Sequence, residues 1–155
     1  MEERNEESIF EALKKNDPNY MRDRYPSSKL LEVFVVRTLA KQINTGPHAL
    51  ERVILNMVNP GFCHSSLSRS VKGFQAIFFW LMKALLARST EVGSRTLLAS
   101  AAGGPETHGQ YMSDCVVKEP SDFVRSEEGQ KTQERVYKEL MEILEKIQPG
   151  ITKNI

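Results

Sequence analysis

The sequence predicts an α/β chain, mostly helical, with a short parallel pair of strands. Three observations carry that prediction. The run RVILNMV, Arg52 to Val58, is almost continuously apolar, rich in β-branched and aliphatic side chains, and bounded by Pro60-Gly61. A run of that length and kind reads as a buried, parallel strand. Gln110 to Met112 is a second short extended piece. Two helical patterns lie between them, so strand, helices and strand form a crossover that pairs the strands in parallel. Two parallel strands leave faces and edges uncovered, which marks the pattern as part of a larger α/β design. At 155 residues the chain is expected to be a single domain spanning 1–155.

The elements follow in order. Ser8 to Lys15 is a short helix that ends near Asn16-Asp17-Pro18, where proline marks a boundary. A second helix begins at Asp23 to Tyr25. Pro26 is tolerated there because the first turn has no internal N–H partner to lose. Leu30, Val33, Phe34, Arg37 and Lys41 keep helical spacing, and Leu31, Val35 and Leu39 fill a neighbouring face. Such wide apolar coverage predicts burial on more than one side. The helix stops before Asn44-Thr45-Gly46-Pro47. After the first strand, Lys72 to Ala87 is a strongly apolar helix. Ser89 or Thr90 caps the next one, which runs through Val92, Leu97, Leu98 and Ala101, with small residues at Ala99 to Ala102 suited to close packing on a sheet. Gly103-Gly104-Pro105 ends it, as a C-terminal glycine followed by proline should. The last helix spans about Glu127 to Gln148, with Val136, Leu140, Ile143 and Ile147 on one face, and Pro149-Gly150 stops it.

Composition excludes several classes. Hydrophobic residues make up 40% of the chain, enough for a real core. A formal charge of +1 gives no basic stripe for nucleic acid and weighs against a membrane surface as partner. Two cysteines, Cys63 and Cys115, are too few for a zinc site or a disulfide framework and read as buried or free thiols in a reducing, cytoplasmic setting. The three histidines, His48, His64 and His108, have no metal-ligand spacing. The polar start, MEERNEESIFEALKKND, lacks the basic and apolar regions of a signal peptide. The most apolar stretch, Gly73 to Ala87, is interrupted by Gln75 and Lys83 and is shorter than the ~18 residues of a membrane span.

One short stretch carries chemistry. Within RYPSSKLLEVF, Tyr25 and Lys29 stand four apart and share a helix face. Tyrosine alone, with a pKa near ~10, is a poor proton donor or acceptor at neutral pH. A neighbouring ammonium favours the phenolate, and acid–base catalysis works best near the working pH. The same spacing also occurs wherever a tyrosine edges a core and a lysine is solvated.

The surroundings decide between these. YPSSK resembles the YxxSK active-site form of the short-chain dehydrogenase/reductase family. The strand end NMVNPGFCHS is similar to that family's strand followed by Pro-Gly and a hydroxyl residue, and THGQYMSDC resembles its last core strand. The fuller strings SIFEALKKND, DRYPSSKLLEVF and NPGFCHSSLSR look most like fungal, retinol-dehydrogenase-like members, many of them in secondary-metabolite pathways.

The resemblance implies the C-terminal part of a Rossmann-type doubly wound fold and an oxidoreductase using NAD(P) on a carbonyl or alcohol. Tyr25 would exchange a proton with the substrate oxygen, and Lys29 would hold the nicotinamide ribose. The backbone of Pro60, Gly61 and Phe62 would face the nicotinamide, and Ser65 would reach its carboxamide or phosphate region. Ser66 to Ala87 falls where the family builds a substrate lid, so Phe74, Phe78, Phe79 and Trp80 would favour a small apolar substrate; an aromatic core helix is the competing reading. No glycine precedes Tyr25, so the glycine-rich pyrophosphate turn and the catalytic serine of the family have no counterpart here, and Ser8 is not assigned that role. The alternative function is therefore a catalytically silent binding or scaffold module, a remnant that pairs as a homo- or heterodimer with a full-length relative.

Overall fold

A computed structural model describes residues 3–16, 21, 23–47, 49, 53–69 and 71–154. Pro18, His48 and Arg52 lie outside the described residues. The chain divides into two compact units, Met1–Leu55 with Glu119–Ile155, and Asn56–Lys118.

The first unit is helical. Helix α1, Ile9–Lys14, is capped by Ser8, whose hydroxyl accepts from the Glu11 N–H. Helix α2, Arg24–Thr45, is the long helix expected from the sequence, with Pro26 in its first turn and Gly46 at its end. A four-residue helix that the sequence did not predict, α5 (Asp122–Arg125), precedes α6, Glu127–Ile147; α3 and α4 belong to the second unit. Ser126 caps α6 through the Gly129 N–H. Ile9, Phe34, Val124 and Val136 are fully buried together, each at 2% exposure or less. Phe34 and Phe123 pack with ring centroids 6.2 Å apart. Most polar groups find partners as the core closes, whereas the Arg37 Nε and the Gln133 Oε1 are buried without one. The Glu139 carboxylate of α6 accepts from the Ile9 and Phe10 N–H groups and from the Ser8 hydroxyl, so it caps α1 from outside. Of the face predicted for α6, Val136 is buried and Leu140 and Ile143 half-buried, whereas Ile147 is exposed.

The second unit holds the sheet. Strand β1, Met57–Asn59, pairs in parallel with β2, Tyr111–Ser113, in the register Met57 to Tyr111. The parallel pair agrees with the expectation, but β1 is shorter than Arg52 to Val58. Val53 to Asn56 stay outside the ladder because β2 offers only three residues of partner, and Val53 and Ile54 are exposed. A third strand, β3 (Val116–Lys118), pairs antiparallel with β2, giving the order β1-β2-β3. Its two-residue turn, Asp114-Cys115, has φ of 55° and 64°, the left-handed pair that tight hairpins use.

Two helices make the crossover between β1 and β2: α3, Phe74–Leu86, and α4, Thr90–Ala101. Ser89 caps α4 by accepting from the Val92 N–H at 3.1 Å. Helix α4 packs on β1 and β2 with Gly93, Thr96 and Ser100 buried; of the small residues expected there, Ser100 is buried and Ala99 half-buried, whereas Ala101 and Ala102 are exposed. Asn56 joins the two layers: its amide donates to the Ser100 carbonyl and the Thr107 hydroxyl, each at 3.1 Å. Helix α3 has no buried residue, which removes the reading of it as an aromatic core helix. No helix among the described residues is long and apolar enough to cross a membrane.

Candidate active site

Tyr25 and Lys29 lie in the first two turns of α2, one helical turn apart. Tyr25 is 57% exposed. Its carbonyl accepts from the Ser28 hydroxyl at 2.8 Å, while Ser27 is buried against the unit. Lys29 is also exposed, and its ammonium donates to both oxygens of Glu32, at 2.8 and 3.0 Å. The Glu32 bond, partly opposed by desolvation, holds the Lys29 ammonium above the usual lysine range; the charges of Glu32 and Tyr25 add to it. Lys29 thus has Glu32 as its ammonium's hydrogen-bond partner, with Tyr25 one turn away on the same helix. The sequence reading did not include Glu32, although its three-residue offset from Lys29 is the helical pairing distance.

Pro60, Gly61, Phe62 and Ser65 share the loop that leaves the C-terminal end of β1. Ligands of open parallel sheets bind outside those strand ends. Gly61 has φ of 79°, a conformation that costs a non-glycine residue about 1–2 kcal/mol. Its N–H donates to the Asn59 side-chain oxygen at 2.9 Å, and Asn59 donates in turn to the Tyr111 hydroxyl at 2.7 Å. Phe62 is 38% exposed. The Ser65 hydroxyl accepts from the Leu67 N–H, and the Ser65 carbonyl accepts from the Lys83 ammonium at 2.7 Å.

Residue 88, which gave no signal in the sequence, pins this loop. Its backbone bridges Phe62 and His64, with the Arg88 N–H donating to the Phe62 carbonyl at 2.8 Å and the His64 N–H to the Arg88 carbonyl at 3.0 Å. The Arg88 guanidinium lies over Gly61, 3.3 Å from where a side-chain carbon would begin, and pairs with Asp114 at 2.5 Å. The bond from Lys118, followed by that from Arg88, brings the Asp114 carboxyl down to about 2. On the other side, Gly93 presses on the loop so closely that an added carbon would lie 2.4 Å from the Cys63 sulfur.

No predicted site residue lines the open cleft of about 340 Å³ formed by Gln42, Tyr137, Met141, Glu142, Glu145 and Thr152. No cluster of metal-ligating residues exists among the described residues. Cys63 and Cys115 are both free thiols.

Known proteins align with most of this chain. It is 52% identical over 132 residues to the short chain dehydrogenase/reductase dmxR8 of Cryptosporiopsis sp., covering 85% of this chain and 39% of that protein. The chain belongs to the short-chain dehydrogenase/reductase family. The short-chain dehydrogenase anuD of Penicillium roqueforti is 42% identical over 148 residues, covering 94% of this chain and 39% of its own length. The short chain dehydrogenase FGM9 of Gibberella zeae is 34% identical over 149 residues, covering 96% and 43%. The chain therefore spans about 40% of the length of these relatives. No family model matches it, and no solved structure matches it significantly. The mixed three-stranded sheet with its helices is a partial α/β fold of the Rossmann type.

Proposed function

We propose that this chain supplies the proton-transfer side of an NAD(P)-dependent oxidoreductase site, acting on the carbonyl or alcohol of a small apolar molecule in secondary-metabolite biosynthesis. The observation that carries the reading is Tyr25, open to solvent, one turn from the Lys29 ammonium in a chain of this family. A reducible carbonyl needs a proton at its oxygen, and in this reading Tyr25 gives it; in the reverse direction the phenolate takes the proton from the alcohol. NAD(P), when bound, exchanges the hydride with the carbonyl carbon.

The fit of the residues to that cofactor is partial. The left-handed Gly61 and the loop at the C-terminal end of β1 suit a nicotinamide, with the backbone of Pro60, Gly61 and Phe62 and the hydroxyl of Ser65 as contacts, and Lys29 suits a ribose hydroxyl. The pyrophosphate turn has no candidate before Tyr25, because the first glycine of the chain is Gly46. A second reading is a silent module that pairs with a full-length relative in a dimer. A cytoplasmic setting serves both readings.

Titrating NADPH and NADH into the purified chain separates them. Saturable binding that weakens on Lys29→Ala supports the oxidoreductase reading; no binding to the chain alone moves the conclusion to the module. In the assembly that turns over, Tyr25→Phe removes the hydroxyl without disturbing the fold. Turnover is expected to fall by ~10²-fold or more, and unchanged turnover removes Tyr25 from the mechanism.

A further inference from the structure

Helix α3 carries its apolar face outward. Phe74, Ile77, Phe78, Leu81 and Leu85 recur at helical spacing, and their exposures are 85%, 64%, 59%, 49% and 72%. Trp80 beside them is 69% exposed. The polar contact of the helix is on another side, where Lys83 donates to the Ser65 carbonyl. Bare apolar faces of this kind mark docking surfaces.

Charge indicates what docks. The whole chain carries a formal charge of only +1, but residues 53–90 contain no aspartate or glutamate. The basic residues of that segment are Arg69, Lys72, Lys83 and Arg88. Arg69 and Lys72, just before the helix, are exposed. Lys83 donates to the Ser65 carbonyl and Arg88 pairs with Asp114, so two copies meeting through this face would bring together the Arg69 and Lys72 of each with no acid inside the segment to pair them. An anionic headgroup layer pairs them directly, and aromatic and aliphatic side chains of a surface helix enter the acyl boundary beneath it. Trp80 is a residue type that settles at that interface.

We propose that the outward face of α3 seats in the surface layer of an anionic membrane, with Arg69 and Lys72 against the headgroups. The proposal does not depend on the oxidoreductase reading.

Trp80 is the only tryptophan of the chain, so its emission reports on this helix alone. The full chain is mixed with vesicles of phosphatidylcholine, with and without phosphatidylserine, and in parallel diluted in lipid-free buffer. The expected result is a shift of emission to shorter wavelength with phosphatidylserine vesicles, reversed by high salt. Arg69→Gln with Lys72→Gln should weaken partitioning on the order of 30-fold, taking ~1 kcal/mol per basic residue. Phe74→Ser with Leu85→Ser should abolish it. All four positions are exposed, and circular dichroism checks that the variants keep their helices. No shift with either vesicle overturns the proposal, and so does an equal shift with both. A lipid-free shift that grows with protein concentration assigns the face to a second copy and overturns it as well.

Discussion

Replacing Gly93 with alanine tests whether the loop after β1 is held by helix α4. Gly93 is buried in the first turn and a half of α4. On helix propensity alone the change should stabilise, by up to about 1 kcal/mol. The structure predicts the opposite sign. The new carbon would sit 2.4 Å from the Cys63 sulfur and 3.5 Å from the Pro60 carbonyl oxygen. Swinging the sulfur away would give up its contact with the Pro60 carbonyl at 3.3 Å, and the Cys63 backbone cannot follow freely because it is bridged to Arg88. Overpacking of this kind costs about 1–3 kcal/mol, so the net effect should be a loss of roughly 0–2 kcal/mol after the propensity gain. Cys63→Ala removes the offending atom. In that background Gly93→Ala should revert to neutral or stabilising, giving a coupling energy of about 1–3 kcal/mol between the two positions. Urea unfolding of the four proteins in the cycle measures it. Gly93→Ala that stabilises the otherwise unaltered chain, with no coupling to Cys63, would refute the close approach of α4 to the loop.

Phe34→Ala should cost about 3–5 kcal/mol, because the ring is fully buried among Ile9, Val124 and Val136; the urea midpoint should fall with little change in slope. The Asp114 carboxyl, lowered from 3.8 to about 2 by Lys118 and Arg88, contributes stability that is complete above its unfolded value and is lost as pH falls between 3.8 and 2. Lys118→Ala should raise the Asp114 carboxyl titration followed by NMR and move the loss of β3 pairing to higher pH. Cys115→Gly should stabilise the β2–β3 hairpin by about 1 kcal/mol, because Cys115 stands at φ 64° where glycine is at no disadvantage; an unchanged thermal midpoint would contradict that.

The long helices were legible because burial follows period. In α2 and α6 the apolar stripe and the terminal breakers point the same way, and both ends fell within two residues of expectation. The parallel pair was legible from order, since a strand after two helices must return alongside the first. Strand β3 was not, because its turn is Asp114-Cys115 instead of an Asn-Gly or Asp-Gly pair, and the short Val116-Val117 run is exposed on both faces. Helix α3 misleads any reading from hydropathy alone: apolar content shows that a surface avoids water, while what it meets depends on neighbours. The Tyr25–Lys29 spacing placed both side chains on one face, but the partner of the ammonium, Glu32, needed side-chain geometry. Arg88 carries no local pattern; it reaches Gly61 because a strand-like bridge brings residues 63 and 88 together.

The loop Asn59 to Cys63 is built before any ligand arrives. Its turn is closed by the Gly61 N–H on Asn59, its far end is tied through Phe62 and His64 to Arg88, and Gly93 blocks inward collapse at Cys63. All of these contacts lie within Asn56–Lys118. A loop already fixed by its own unit loses little further conformational entropy on binding, and each residue otherwise ordered would cost about 1–2 kcal/mol of backbone freedom. Arg88→Ala therefore attacks preorganisation rather than contact. It should speed hydrogen exchange at the His64 amide, although the acceptor of that amide is a backbone carbonyl that the substitution leaves in place. Exchange as slow as in the unaltered chain would mean that the guanidinium over Gly61 does not hold the loop.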